Sequence, residues 1–177
     1  MGNETILAID PGNTESGYAL ITMPEFKILD KGKIKNEELL QKIDWVLKGS
    51  WINPPVLAIE MIASYGMAVG RDVFETCVWV GRFIERYKHA YQFFYNLQGK
   101  VDYVYRKDEK LILCGNPRAK DANIRQALID RYAKHDFKNG KGTKKNPDVF
   151  YGVKADIWAA IAVGVTWYES KNGGIYQ

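Results

Sequence analysis

The chain has 177 residues, 46% of them hydrophobic, and a formal net charge of +4. We expect one globular domain over residues 1–177, and no apolar run approaches the roughly 20 residues of a membrane span. The start of the chain lacks the basic and apolar segments of a signal peptide, and the two cysteines match no metal-binding spacing. These features predict a cytoplasmic protein in a reducing compartment.

The predicted elements begin with a meander and continue as alternating helices and strands. Apolar runs bounded by turn residues predict strands over 5–9, 16–23, 26–34, 56–59 and 101–105. Apolar residues at helical spacing predict helices over 37–47, capped by Asn36, and over 72–89, 120–133 and 154–169. This order indicates an α/β fold with a mixed five-stranded sheet and helices on both faces.

Positive charge is concentrated in one segment of the chain. Residues 100–145 contain thirteen Lys and Arg against six Asp and Glu, which gives this segment +7 and leaves −3 for the remainder. A basic segment can be an ordinary solvated surface, but beside a cluster of acidic residues it is typical of a protein that binds a polyanion next to a metal.

Three acidic residues stand at the edges of apolar segments. Asp10 follows the run 6–9, Glu60 follows 56–59, and Asp156 precedes 157–163. A carboxylate beside the core is costly unless something pairs with it. Any one of them alone could be a helix cap or an ion pair. Three at the edges of different core elements indicate that they converge on a shared cation.

Oxygen ligands of this kind suit Mg²⁺, with Mn²⁺ as a substitute. Two such ions a few ångströms apart can activate water and stabilise the leaving oxygen in phosphodiester hydrolysis. Asp10 is predicted to bridge the ions, with Glu60 and Asp156 on either side.

Four segments carry a resemblance to a known family. Residues 9–18 resemble the opening motif of the RuvC family, the Holliday junction resolvases of the ribonuclease H-like superfamily, and Ala58-Ile59-Glu60 resembles its second motif. Residues 115–121 are similar to the basic stretch before its fourth-motif helix, and 154–162 to its last motif. The resemblance spans about residues 5–165, and the loop 142–147 looks more like phage-type members.

The resemblance implies a ribonuclease H-like fold and a homodimeric endonuclease of a bacterial or phage-infected cell. Such an enzyme cuts four-way or other branched DNA with Mg²⁺ or Mn²⁺ and leaves a 5′-phosphate, with Asp10, Glu60 and Asp156 as ligands. The helix over 72–89 is implied to contribute to the dimer interface.

One position departs from the family pattern. The family usually has an acidic residue or His three residues before the last Asp, where this chain has Val153. We therefore expect a weak second metal site, high Mg²⁺ demand relieved by Mn²⁺, and improvement by Val153→Asp if that side chain faces the site. Asp148, reached by a fold-back of 148–153, and Lys154 are possible extra site residues.

Several residues are predicted to contact DNA. Tyr65 lies where the family places a residue that stacks on a base. Arg118 and Lys120 precede a helix N-terminus, which suits a phosphate. Lys141, Lys144 and Lys145 lie in a polar loop that we expect to be mobile.

Other functions remain compatible with these residues. An RNA-processing nuclease of the same superfamily would use the same carboxylates, and a non-catalytic junction-binding protein would tolerate Val153. The first motif also occurs in actin-like ATPases, but those need two such domains, for which 177 residues are too few.

Overall fold

A computed structural model describes residues 3–50, 53–64, 66 and 68–173. The elements are, in chain order, β1 (Glu4–Asp10), β2 (Glu15–Met23), β3 (Lys27–Lys35), α1 (Asn36–Gly49), β4 (Val56–Met61), α2 (Arg71–Tyr95), β5 (Val101–Tyr105), α3 (Arg106–Cys114), α4 (Asp121–Tyr132) and α5 (Asp156–Lys171).

The five strands form one mixed sheet in the order β3-β2-β1-β4-β5. β1 pairs antiparallel with β2, and β2 with β3, whereas β1 and β4, and β4 and β5, run parallel. The predicted α/β fold with a mixed five-stranded sheet is therefore confirmed. The parallel pair β1–β4 matters most for the site, because it brings the C-terminal ends of two buried strands to the same edge.

Helices cover both faces of the sheet, as the sequence predicts. Side chains of a strand alternate between the two faces. Leu7 and Ile9 of β1 pack in an apolar cluster with α1 and α2, whereas Ile6 and Ala8 pack in a second cluster with α3, α4 and α5. All four are fully buried.

The central element of the second face is α5, which is buried along most of its length. Small residues let it approach the sheet closely: a Cβ added at Gly164 would lie 3.1 Å from the Cβ of Ala8. Because α5 packs tightly across β1 and β2, its first residue is held at the edge of the sheet where β1 ends.

Apart from shifts of one or two residues at the ends of other elements, the structure differs from the predicted elements at α3, α2, the start of α5 and Asn36. Helix α3 was not predicted, and α2 continues to Tyr95 rather than ending at 89. Helix α5 begins at Asp156 instead of 154. Asn36 is the first residue of α1 and makes no cap; its buried side chain bonds to the β1–β2 turn instead. Among the described residues, no helix has the length and apolar character to cross a membrane.

Candidate active site

Asp10 and Glu60 lie side by side at one edge of the sheet. Ile9 of β1 is in register with Ile59 of the parallel strand β4, so the next residue of each strand is a carboxylate. The apolar runs that bury these strands thus place two acids together at the point where the chains leave the core.

Asp156 joins them from the opposite side of β1. Gly17 of β2 pairs with Asp10, and a Cβ on Gly17 would lie 2.4 Å from the backbone oxygen of Asp156. Only glycine allows the start of α5 to approach this closely. Asp10, Glu60 and Asp156 line one cavity of about 400 Å³, together with Arg106, Asp121, Ile124, Arg125, Ala155, Trp158 and Ala159.

A small hydrogen-bond network fixes the turn that follows Asp10. The Asn36 amide donates to the carbonyl of Gly12 (2.9 Å), and the Ser16 hydroxyl donates to the Asn36 side-chain oxygen (2.6 Å). The backbone N–H of Gly12 donates in turn to the Ser16 hydroxyl (3.1 Å). Because Asn36 and Ser16 are buried, this network holds the Asp10 turn rigidly.

The cavity is short of positive charge around Asp10. The pKa of Asp10 is raised to about 8 by burial, by the charge of Glu60 and a hydrogen bond with it, and by the charge of Asp156. The charge of Arg106 lowers the pKa, but only in part offsets these effects. The ordinary pKa of Asp10 is 3.8. Asp10 is therefore protonated near neutral pH unless a cation is added, which is the behaviour expected of a carboxyl placed to bind one.

Asp156 differs from Asp10 because it already has a cationic partner. The Lys33 ammonium group, on β3, lies 2.8 Å from Asp156 Oδ2 and 3.8 Å from Glu15 Oε2. Lys33 was not among the predicted site residues.

Arg106 brings a second cation to the cavity, on a helix that the sequence did not predict. Its guanidinium donates to Glu109 Oε2 and to Asp121 Oδ1, each at 2.5 Å. The Glu109 side chain is fully buried, and its Oε1 has no hydrogen-bond partner among the described residues. Burial and the charges of Glu60 and Asp10 raise the pKa of Glu109 against the opposing effect of Arg106. A further carboxyl group, that of Glu109, thus lies behind the cavity and holds Arg106 in place.

Arg125 lines the same cavity from α4. Its guanidinium lies over the Trp158 ring, 5.4 Å from the centroid. A stacked guanidinium keeps donors free for an anion, and Arg125 also borders a second groove of about 440 Å³ that contains Lys138 and Lys141. Arg125 immediately follows the buried Ile124 in the predicted helix, and this position could have indicated that Arg125 lies at the edge of the core beside the cavity.

The donor set suits a hard divalent cation at Asp10 and Glu60. Such an ion would neutralise the two adjacent carboxylates and would thereby lower the raised pKa of Asp10. Yet no three His, Cys, Asp or Glu side chains within the described ranges are gathered closely enough to hold one ion together. Asp156 is paired with Lys33 instead.

The structure corrects the expectations about a fourth ligand. Val153 is fully buried in the apolar cluster under α5, so its side chain does not face the site and Val153→Asp would bury a carboxylate in the core. Asp148 does not line the cavity: its carboxylate accepts backbone N–H groups of residues 134, 135, 136 and 149. Lys154 is exposed and does not line the cavity either.

The predicted DNA-contacting residues lie on the surface, outside the cavity. Arg118, Lys120, Lys144 and Lys145 are exposed, and Lys141 is half-buried beside the second groove. The loop that carries the last three was expected to be mobile, but hydrogen bonds to Asp136 and Asp148 order its backbone. Tyr65 lies outside the described residues.

Comparisons with known proteins bear on the fold. No protein-family model and no curated protein matches the chain. A solved structure of RuvC from Thermus thermophilus is similar, with 16% identity, a TM-score of 0.62 and coverage of 96% of this chain and 97% of that chain. The structure of T. thermophilus RuvC in complex with a Holliday junction substrate is similar too, with 15% identity, a TM-score of 0.63 and coverage of 97% of both chains. The predicted RuvC-like, ribonuclease H-like fold is confirmed.

Proposed function

We propose that this chain is a metal-dependent endonuclease that cleaves four-way (Holliday) or other branched DNA junctions. The observation that carries the proposal is the convergence of Asp10, Glu60 and Asp156 on one cavity, at the edge of a sheet with the RuvC fold. The likeness to a RuvC structure that holds a Holliday junction adds support for the class of substrate.

Asp10 and Glu60 would hold Mg²⁺ or Mn²⁺, with Asp156 beside them. When bound, the ion supplies the positive charge that activates an attacking water and stabilises the leaving oxygen. The chain itself supplies the remaining electrostatics. Arg106 and Arg125 line the cavity and provide donors for the oxygens of a phosphodiester.

Binding energy for DNA would come from the basic residues around the cavity. Arg118 and Lys120 lie just before α4, and Lys138 and Lys141 line the groove that Arg125 shares with the cavity. Lys138 and Lys141 would bind the phosphate backbone along this groove, next to the cavity that contains the carboxylates. Lys144 and Lys145 extend the charge of the same loop, so the affinity should depend strongly on salt.

A homodimer is part of the proposal, because a four-way junction presents two equivalent strands for paired cuts. Helix α2 leaves Phe74 and Val78 more than 60% exposed on one side. Phe83, which the sequence also offers as a surplus apolar residue for a partner, is instead buried in the core. Light scattering of the free protein and of its junction complex should give two chains, and a monomer in both would contradict this part.

A cleavage assay tests the proposal directly. The purified protein is incubated with labelled four-way, flap, duplex and single-stranded DNA, and with a four-way RNA, in Mg²⁺ or Mn²⁺ and in chelator. We expect symmetric nicks in the four-way DNA that require the metal. Cleavage restricted to RNA would indicate an RNA-processing nuclease, and tight junction binding without cleavage would indicate a non-catalytic binding protein.

A further inference from the structure

Lys33 lies in the same row across the sheet as Asp10. In the antiparallel register, Lys33 of β3 pairs with Gly17 of β2, and Gly17 pairs with Asp10 of β1. Directly paired residues project to the same face, so Lys33 and Asp10 both project toward α5. Gly17 between them has no side chain, and Asp156 lies over this gap. The Lys33 ammonium group therefore lies 2.8 Å from Asp156 Oδ2.

Apart from Glu15, which Lys33 also contacts at 3.8 Å, Asp156 has few oxygen neighbours with which to hold a second ion. The residue three positions earlier, Val153, is packed in the core, and both oxygens of Asp148 are used by backbone N–H groups. Mg²⁺ accepts one or two carboxylates and completes its shell with water, but it is compact and its geometry is strict. A lysine ammonium group, in contrast, needs no octahedral shell of oxygen ligands.

The charges of the site balance with one divalent ion. Asp10, Glu60 and Asp156 contribute three negative charges when ionised, and Lys33 offsets one of them. In the same count, the two arginines Arg106 and Arg125 offset the two further carboxylates, Glu109 and Asp121. Two negative charges remain at Asp10 and Glu60, which equal the charge of one Mg²⁺.

We propose that the Lys33 ammonium group takes the place of a second divalent cation at Asp156, so that the site binds one metal ion, between Asp10 and Glu60. This inference rests on the proposed function for the identity of the site. It predicts how many ions the protein binds, which can be measured without DNA cleavage.

The number of Mn²⁺ ions bound to the full-length protein tests this inference. Free Mn²⁺ is measured from its electron paramagnetic resonance signal and subtracted from the total. The wild type should bind one ion per chain, and Asp156→Asn should still bind one. Lys33→Met, which keeps most of the length of the side chain and removes its charge, should bind two, because it frees the carboxylates of Asp156 and Glu15 for a second, weaker ion. Lys33→Arg should bind one, as should Lys35→Met, the control two residues along the same strand.

The double variant Lys33→Met with Asp156→Asn should return to one ion, which would locate the added ion at Asp156. Two ions in the wild type, or an unchanged count and affinity in a folded Lys33→Met, would overturn the inference. Because the wild-type count stands alone, the inference remains testable even if Lys33→Met does not fold.

Two further results separate this inference from the proposed function. Normal junction cleavage with two ions bound would overturn the role of Lys33 and leave the nuclease proposal intact. One ion bound with no cleavage of any nucleic acid would support the role of Lys33 and contradict the nuclease proposal.

Discussion

Two aspartates of this protein lie in environments of opposite character. Asp10 and Asp148 are both largely withdrawn from water, yet the pKa of Asp10 is raised to about 8 and the pKa of Asp148 is lowered. Burial raises both. At Asp148 that effect is outweighed by backbone N–H groups of Asp136, His135, Lys134 and Val149, whereas Asp10 faces the charges of Glu60 and Asp156.

The difference distinguishes a carboxylate that is satisfied by the fold from one that is a candidate for binding a metal ion. The oxygens of Asp148 are saturated by the loop around them, so Asp148 has no capacity left for a ligand. Asp10 is held in a rigid turn among like charges, and only an external cation completes its environment. A buried carboxylate whose charge is unbalanced marks the site more reliably than burial or sequence position alone.

The largest effects should follow from substitutions in the cavity. Asp10→Asn, Glu60→Gln and Asp156→Asn should each lower junction cleavage by about 10³-fold or more, roughly 4 kcal/mol of transition-state stabilisation. Junction binding, measured by gel shift, should change little because it depends on Lys and Arg. Asp108→Asn, an exposed carboxylate on α3, is the matched control. Full activity in any of the three would remove that residue from the site.

Asp148 should show the opposite pattern. An amide at this position has one acceptor oxygen and places an N–H₂ group against backbone donors, so Asp148→Asn should lower the free energy of unfolding by about 3 kcal/mol. Denaturation by urea measures the loss. Below the unfolding transition, the variant should cleave junctions at a rate close to that of the wild type. A loss of cleavage as deep as that of Asp156→Asn in a folded protein would restore Asp148 as a metal ligand.

The location of the site was predictable because it follows from strand patterns. Apolar runs ending in Asp10 and Glu60 required only that β1 and β4 be parallel neighbours to bring the two acids together. Asp156 required that α5 cross the same edge. In each case an apolar run with one carboxylate at its end is enough to predict where that carboxylate lies.

Helix α3 and its role could not be predicted in the same way. Residues 106–110 are all charged and read as a solvated loop. The residue that anchors the first turn of α3 in the interior is Glu109, a carboxylate at a position where periodicity expects an apolar side chain. The burial of Glu109 depends on its ion pair with Arg106. The first turn of α3 is therefore held by an ion pair, which an apolar pattern cannot predict.

The condition set for Val153→Asp, that this side chain face the site, is not met for a conformational reason. A spacing of three residues places side chains on one face only inside a helix, and α5 begins at Asp156. Gly152 and Ala155 have positive φ values of 76° and 45°, so the chain turns sharply before the helix and directs Val153 into the core. Lys33, by contrast, depends on the β2–β3 register, which sequence patterns do not specify to the residue.

The ordered loop that surrounds Asp136 and Asp148 should contribute to DNA affinity through its lysines. Replacing Lys141, Lys144 and Lys145 together by Gln should flatten the log–log dependence of affinity on salt by up to about 3, since each phosphate contact contributes about 0.9. Fluorescence anisotropy of a labelled junction at several salt concentrations measures the slope. Gln at Lys48 and Lys88, on the opposite face of the sheet, should leave it unchanged. An unchanged slope in the triple variant would exclude the loop from the DNA path.

The last effect concerns the dependence of stability on pH at Asp10 in the absence of divalent cations. Because the pKa of Asp10 rises from 3.8 to about 8 on folding, the folded state holds this proton more tightly than the unfolded state does. The contribution of Asp10 to stability is therefore complete below about pH 4 and is lost as the pH rises toward 8. Asp10→Asn cannot ionise, so at pH 8 it should be more stable than the wild type by up to about 5 kcal/mol, roughly 10–20 °C in Tm.

Thermal unfolding in chelator from pH 4 to 8 measures this difference, which should vanish at the acidic end. Adding Mn²⁺ at pH 8 should raise the Tm of the wild type and leave that of Asp10→Asn nearly unchanged, because the ion supplies the charge that Asp10 lacks. Asp108→Asn should follow the wild type under both conditions. Parallel stability curves for wild type and Asp10→Asn across the whole range would mean that Asp10 is ionised without a cation, and the contrast with Asp148 would no longer hold.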